Sequence, residues 1–434
     1  MKTGNTPVTG FLQPPIIEGA LGDHQRDLAG LAERLDRRGL FAERAVEAVR
    51  RFEVAIPSWA FGSGGTRFGR FPLAGEPRTL VEKMEDASVV HRLTGGTPRV
   101  SLHIPWDEPD DCTALRQLAS ELGLGFDAMN SNTFQDQPGQ SLSYKLGSFS
   151  HTDLAVRRQA IDHHLHVIEV GKALGAEAIT VWLADGSSYP GQMSLRKSFD
   201  RVLESLRDVY AALPPNWRLF TEHKPYEPAF YATVVQDWGS SLLLAQSLGA
   251  RAQCLVDLGH HLPNTNVELV VARLLGAGKL GGFHFNDSKY GDDDLTAGSI
   301  KPYGLFLVFH ELVQAERERL TGFSPAYMID QSHNIKDPLE DLLQTVDQLQ
   351  LAYAKAQLVD HDALEVYQNT GDVVMAERVL KDAFETDARP LVAEARLRNG
   401  AALDPVASFR ASGYRARKAA ERTGSVGYTQ PRSL

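Results

Sequence analysis

Residues 217–228 read WRLFTEHKPYEP, 252–261 AQCLVDLGHH, 280–294 LGGFHFNDSKYGDDD and 326–334 AYMIDQSHN. Each stretch opens on a short apolar run and closes on carboxylates and imidazoles. Such runs predict buried strands, here Trp217–Glu222, Ala252–Leu258, Leu280–Phe285 and Ala326–Asp330. Stretches of helical period, Val234–Leu248 and Val267–Leu275, lie between them. Toward the N-terminus the same rhythm continues, with strands at Val54–Trp59, Val100–Ile104, Gly125–Met129 and Ala178–Leu183 and helices at Val156–Leu174 and Ser194–Ala212. Strands alternating with helices imply a parallel sheet covered by helices. Eight such units predict an α/β fold, a closed (β/α)₈ TIM barrel, over an open doubly wound sheet. No G-x-G-x-x-G follows the first strand, and the GSGG at 62–65 is followed by no Lys-Ser/Thr, so it reads as a loop.

Three segments follow from this reading. Residues 1–52 form an N-terminal leader and helix (21–52 carrying the helical period), residues 53–357 the catalytic barrel, and residues 358–434 a polar helical extension suited to oligomer contacts. The 434 residues carry a net charge of −10, with 43% apolar and 23% charged residues. That balance argues against a nucleic-acid partner, which requires clustered Lys and Arg. The one dense basic stretch, Arg415–Arg422, reads as a solvated helix face. Two cysteines, Cys112 and Cys254, build no disulfide framework, which fits a reducing compartment. No run reaches the ~20 apolar residues of a membrane span, and the N-terminus lacks the apolar core of a secretory signal. A cytoplasmic location without membrane contact is expected.

In a (β/α)₈ barrel the working side chains project from the carboxyl ends of the strands. The second strand ends in His103, the fourth in Trp182 and Asp185, and the fifth offers Glu222 and Lys224 on one face with His223 on the other. The sixth gives Asp257, His260 and His261; the seventh His284, Asp287, Asp292, Asp293 and Asp294; the eighth Asp330 and His333. The last four strands are neighbours, so Glu222, Asp257, His284 and Asp330 converge. Carboxylates crowded in that way repel unless paired or metal-bound. One imidazole with three carboxylates suits Mn²⁺ or Mg²⁺, with Co²⁺ possible. His260 with Asp292 and Asp294 supplies the ligand types of a second site, and Asp257 is the natural bridge. A lone strand-end carboxylate is more often a helix cap or ion-pair partner, but four consecutive strands ending this way are hard to obtain by chance. His223 and His261 point away from the better-placed residues and read as structural. Lys224 serves either as an ion-pair partner of Glu222 or as a donor to a substrate oxygen.

At these residues the sequence resembles the L-rhamnose isomerase family, in its bacterial broad-specificity branch. The segments that carry the resemblance are IPSWAFGSGGTRFGRF (56–71), VSLHIPWD (100–107), GFDAMNSNTF (125–134), EHKPYEPAFY (222–231), VVQDWG (234–239), CLVDLGHHLPNTN (254–266), GGFHFNDSKYGDDD (281–294) and MIDQSHN (328–334). It runs from about Arg37 to SGYRARKAAER (412–422), with a more distant similarity to xylose isomerases. The resemblance implies two divalent cations, Mn²⁺ first, with Mg²⁺, Co²⁺ or Zn²⁺ as alternatives. A structural ion would take Glu222, Asp257, His284 and Asp330; a catalytic ion would take Asp257, His260, Asp292 and Asp294. It also implies that His103 contacts the sugar and assists ring opening, that Lys224 meets a hydroxyl near the carbonyl end, and that Trp59 and Trp182 form apolar walls. Phe68 would reach into a neighbouring subunit's pocket, implying a homotetramer.

The activity expected is conversion of L-rhamnose to L-rhamnulose, with side activity on aldoses such as D-allose. Cations that bind O1 and O2 of the open-chain sugar polarise its carbonyl. Hydride passage between C2 and C1 is favoured, and proton transfer through a cis-enediol with Asp330 as base is the competing route. Trp59, Phe61, Phe68 and Trp106 are candidates for an apolar pocket around a C6 methyl. The alternatives are a related sugar isomerase with another substrate pair, a metal-dependent hydrolase, a non-catalytic carbohydrate binder and a sugar-acid dehydratase.

Overall fold

The computed structural model describes residues 18–62, 73–226, 229–332 and 335–422. Among the described residues, eight parallel strands form the barrel. They are β1 (Ile56–Pro57), β2 (Arg99–Ser101, resuming at His103–Ile104), β3 (Gly125–Phe126, resuming at Met129–Ser131), β4 (Ala178–Trp182), β5 (Arg218–Glu222), β6 (Ala252–Asp257), β7 (Leu280–Phe285) and β8 (Ala326–Ile329). Each strand pairs in parallel with the next, β1 with β2 through to β7 with β8. Ala55 closes the ring: its N–H donates to Tyr327 O at 2.8 Å and its carbonyl accepts from Ile329 N at 3.0 Å. The expected barrel is therefore present. β1 to β3 are shorter or more interrupted than their apolar runs suggested.

Helices α1 (Glu18–Asp36) and α2 (Ala42–Arg50) precede the barrel. The single N-terminal helix expected over 21–52 is broken by a turn in which Gly39 adopts φ 72°, a left-handed conformation natural to glycine. The barrel helices are α3 (Leu80–Thr94), α4 (Cys112–Glu121), α5 (Leu154–Leu174), α6 (Leu195–Ala212), α7 (Trp238–Leu248), α8 (Val267–Gly276), α9 (Pro302–Glu318) and α10 (Pro338–Gln357), one after each strand. Their starts are written in the sequence: Thr79 and Glu82 form a capping box on α3, while Asp111, Asp153, Ser194, Asp237, Asn266 and Asp337 cap α4 to α8 and α10. Helix α7 starts four residues later than its periodicity suggested, because Ala232–Thr233 pair antiparallel with Gly186–Ser187 and tie the loop after β5 to the loop after β4.

Within the barrel, β7 carries glycines because its neighbours leave no room. A Cβ on Gly282 would sit 2.4 Å from Ala326 O, and one on Gly281 2.6 Å from the Phe220 ring. Phe283, Phe285, Phe309 and Tyr327 fill the core around this strand. Phe61, expected at the sugar pocket, is fully buried in that same core.

After α10 the chain forms α11 (His361–Thr370), α12 (Val373–Phe384), α13 (Arg389–Arg398), α14 (Pro405–Ser412) and α15 (Tyr414–Glu421). The basic stretch on α15 is not a solvated face. Arg415 pairs bidentately with Asp337 at 2.6 and 2.7 Å, and Arg422 reaches buried Asp86 at 2.8 and 3.0 Å and Gly75 O at 2.9 Å. These cations bind the end of the chain to the segments that enter α3 and α10. Among the described residues no helix is long and apolar enough to cross a membrane.

Candidate active site

The ends of β5 to β8 meet at the carboxyl mouth of the barrel. There Glu222, Asp257, His284 and Asp330 each offer a ligand atom, all within 4.8 Å of one another. His284 Nδ1 is the hub, 3.2 Å from Glu222 Oε1, 3.5 Å from Asp330 Oδ2 and 3.7 Å from Asp257 Oδ2. Asp257, His260 and Asp292 form a second group under the same 4.8 Å limit, so Asp257 belongs to both. His260 stands 3.1 Å from Glu222 Oε1 through Nδ1 and 3.4 Å from Asp292 Oδ1 through Nε2. Asp294 lines the same cavity but lies outside the second group. Its backbone takes φ 48°, tolerable for Asp, and its carboxylate accepts from Ser332 Oγ at 3.1 Å.

Each carboxylate is aimed by a partner. Asp257 Oδ1 accepts from Gly259 N at 2.7 Å and Asn286 Nδ2 at 3.0 Å, which leaves its buried Oδ2 with no hydrogen bond. Trp59 Nε1 donates to Asp330 Oδ1 at 2.9 Å, and Lys224 Nζ donates to Asp292 Oδ2 at 2.6 Å. Lys224 is thus paired with Asp292, rather than with the Glu222 suggested by adjacency, and its ammonium stands 5.1 Å from the Trp182 ring centre. Gly259 leaves the site open: a Cβ there would come within 3.1 Å of Asp292 Oδ1 and 3.3 Å of Asp257 Oδ1.

Burial pushes the Glu222 carboxyl up, but His284 and His260 outweigh it and hold the group below the usual carboxylate range. Asp292 is lowered in the same way, with burial overcome by His260 and Lys224. Burial dominates at Asp257, whose carboxyl is raised. Burial opposes the charged form of His260 and His284, yet Asp257, Asp292 and Glu222 hold the first, and Glu222, Asp257 and Asp330 the second, well above the ordinary imidazole value. A cluster that draws protons onto two buried imidazoles is short of positive charge. Unbonded Asp257 Oδ2, the open cradle at Gly259 and the mixed oxygen and imidazole donors all fit divalent cations.

Beside the charged groups stands an aromatic wall. His103 stacks on Trp106 at 4.1 Å and meets Trp59 edge-on at 5.4 Å; Phe134 lies 4.6 Å from Trp182. Burial brings the His103 imidazole down to about 4, so it is neutral at ordinary pH. Asp107 holds the His103 backbone N–H at 3.0 Å, accepts from Ser58 Oγ and pairs with Lys83 at 2.6 Å, so it joins the tips of β1 and β2. Asn130, Ser131, Phe134, Thr180 and Ser332 also line the cavity and escaped the sequence reading. Asn130, Ser131 and Phe134 carry a signal in the sequence, since they stand at the carboxyl end of β3, where a barrel places working side chains; Thr180 within β4 and Ser332 beyond β8 carry none.

Other strand-end acids have structural tasks. Asp185 accepts from Ser148 N, Ser148 Oγ and Ser150 N at 2.7–2.8 Å. Asp287 holds Ile300 N and Lys301 N, and Asp293 holds Lys289 N and Tyr290 N. His223 and His261 pair with each other, ring centres 4.9 Å apart. Phe68 and His333 lie outside the described residues.

A closed parallel barrel with two carboxylate–histidine clusters sharing one aspartate at its carboxyl mouth defines a class of barrel enzyme-like proteins suited to divalent cations. The family model described as xylose isomerase-like TIM barrel matches residues 89–317, and the chain belongs to that family. A protein of Mesorhizobium japonicum named "probable sugar isomerase" is 59% identical over 405 residues, covering 93% of this chain and 94% of that one. One of the same description from Rhizobium meliloti is 58% identical over 402 residues, with 93% and 94% coverage. The xylose isomerase of Thermus thermophilus is 29% identical over 263 residues, 56% of this chain and 64% of that one. Among solved structures, L-ribulose 3-epimerase superposes with a TM-score of 0.52 at 14% identity, covering 74% of this chain and 98% of that one, a likeness of fold.

Proposed function

We propose that the protein interconverts an aldose and its ketose, with L-rhamnose and L-rhamnulose as the principal pair and side activity on other aldoses such as D-allose. The observation that carries this reading is the pair of His–carboxylate clusters sharing Asp257, with Lys224 held beside them by Asp292. The two relatives named "probable sugar isomerase" support the reaction class. The sequence motifs and the aromatic wall support the deoxysugar.

In this reading Glu222, Asp257, His284 and Asp330 hold one divalent cation, and Asp257, His260, Asp292 and Asp294 hold the other, Mn²⁺ first. When bound, such ions supply Lewis acidity toward O1 and O2 of the open-chain sugar. Lys224, fixed at 2.6 Å from Asp292, donates to a sugar oxygen near the carbonyl end. Neutral His103 contacts the ring oxygen side and assists opening of the ring. Hydrogen then moves between C1 and C2, with hydride passage favoured; in the enediol route Asp330 would take the proton. Trp59, Trp106, Phe134 and Trp182 exclude water from the apolar end of the sugar. Phe68 would complete the pocket from a neighbouring subunit of a homotetramer, to which the helices beyond residue 358 contribute contacts.

The test is a coupled assay on metal-stripped protein given L-rhamnose, first alone and then with Mn²⁺, with the ketose quantified. Ketose appearing only after Mn²⁺ is restored is the expected result. Tight cation binding without ketose from any aldose would sink the assignment of reaction. Label placed at C2 and found at C1 supports hydride passage, and its extensive loss to water would overturn it.

A further inference from the structure

We infer that Ser131 meets a substrate hydroxyl as a hydrogen-bond acceptor only, and that His164 is the positioning residue that makes it so; the occupant rests on the sugar reading above. Ser131 is the last residue of β3 and lines the cavity two strands round the barrel from β5. Its Oγ lies 2.8 Å from Nε2 of His164, a fully buried residue of α5. The other ring nitrogen, Nδ1, lies 2.8 Å from the carbonyl oxygen of Ala160.

These contacts set the direction of every proton. A carbonyl oxygen only accepts, so Nδ1 carries the hydrogen. A neutral imidazole has one such hydrogen, so Nε2 presents a lone pair. Burial, with His163 next in weight, brings His164 down to about 3 and keeps it neutral. The Ser131 hydroxyl therefore donates to Nε2, and its single proton is committed. Neighbouring Asn130 gives its amide to Ser101 Oγ at 2.8 Å and to Leu102 O at 3.3 Å. What remains on Ser131 Oγ is acceptor capacity alone. On the next strand, Trp182 Nε1 has a donor and no hydrogen bond. A rotating serine hydroxyl would tolerate donors and acceptors alike; this one selects a group that carries a proton.

The discriminating experiment compares deoxy and deoxyfluoro sugars, because fluorine accepts weakly and never donates. The Mn²⁺-loaded protein is assayed with L-rhamnose and with its 3- and 4-deoxy and 3- and 4-deoxyfluoro analogues. At one position both analogues are expected to raise KM equally, on the order of tenfold, with kcat little changed. S131A is expected to raise KM for L-rhamnose to the same level and to be indifferent to the change at that position. H164M removes the acceptor behind Ser131 and frees its proton, so the fluoro analogue should there be bound better than the deoxy one. If S131A adds its full effect to both positions, or if wild type prefers fluoro over deoxy at both, the subsite is overturned. S131A decides this even if H164M fails to fold. Calorimetry with the non-reacting alditol L-rhamnitol separates the two readings. A protein that neither binds it nor converts any of these sugars overturns the sugar assignment and this subsite with it. One that binds it while S131A effects remain additive overturns the subsite alone.

Discussion

Replacing Trp59 by Phe would remove one N–H while keeping a flat ring in the same place. The indole donates to Asp330 Oδ1 at 2.9 Å, and the Asp330 side chain is 22% exposed, so the bond is charge-assisted and largely shielded from water. Hydrogen bonds to charged groups contribute about 1.5–3 kcal/mol. At about 1.4 kcal/mol per factor of ten, W59F should weaken cation binding at the cluster containing Asp330 by roughly 10- to 100-fold, the range seen when outer partners of metal ligands are removed. The edge-on contact of residue 59 with His103, at 5.4 Å, needs only an aromatic ring and should survive. The loss should therefore fall on one of two sites. Calorimetric titration of metal-stripped protein with Mn²⁺, fitted to two sites, measures it. Two unchanged affinities in W59F would refute the claim that the indole aims Asp330.

Three further outcomes are expected. D257N removes the carboxylate common to both clusters, so Mn²⁺ stoichiometry should fall from two to below one at micromolar metal, whereas D292N should affect one site only; equal losses in the two variants would contradict the shared-ligand arrangement. R422M leaves Asp86 buried without its cation and should cost about 3–5 kcal/mol in chemical denaturation, much of it regained in R422M/D86L; full stability of the single variant would show the pair to be dispensable. His310 is buried beside His361 and is brought down from 6.5 to about 4 by burial. Below pH 6.5 the unfolded chain takes up that proton first, so folding stability should fall as pH drops from about 6.5 to about 4, by about 3 kcal/mol in total. H310F should flatten this part of the stability–pH curve, and an unaltered curve would place the acid sensitivity elsewhere.

Much of the architecture was legible because apolar runs and helix caps repeat with one strand and one helix per unit. Glu222, Asp257, His284 and Asp330 could be found because they sit at the tips of regular strands, where the position of a residue fixes the direction of its side chain, whereas Asp292, in the loop after β7, was marked only by its residue type and spacing. Three kinds of detail were not legible. The indole of Trp59 reads as apolar until its N–H is seen on Asp330. Arg415 and Arg422 read as a wet helix face because their partners, Asp337 and Asp86, lie 78 and 336 residues away. Phe61 and Trp59 are two residues apart, yet one enters the core and the other the cavity, because β1 gives way to a tight 3₁₀ turn at Ser58–Ala60 where strand alternation no longer applies.

The residues that surround the cavity are also sorted along the chain. The aromatic wall, Trp59, His103, Trp106, Phe134 and Trp182, is complete before α6 begins, and every member of the charged clusters follows α6. The sugar-facing wall and the candidate cation ligands are therefore inherited on separate stretches of polypeptide, tied together by the Trp59 indole on Asp330. A crossover between homologous genes within α6 would transplant one shape of wall onto an intact set of ligands. Such chimeras offer a route to new sugar preferences in which selection need never touch the charged half of the barrel.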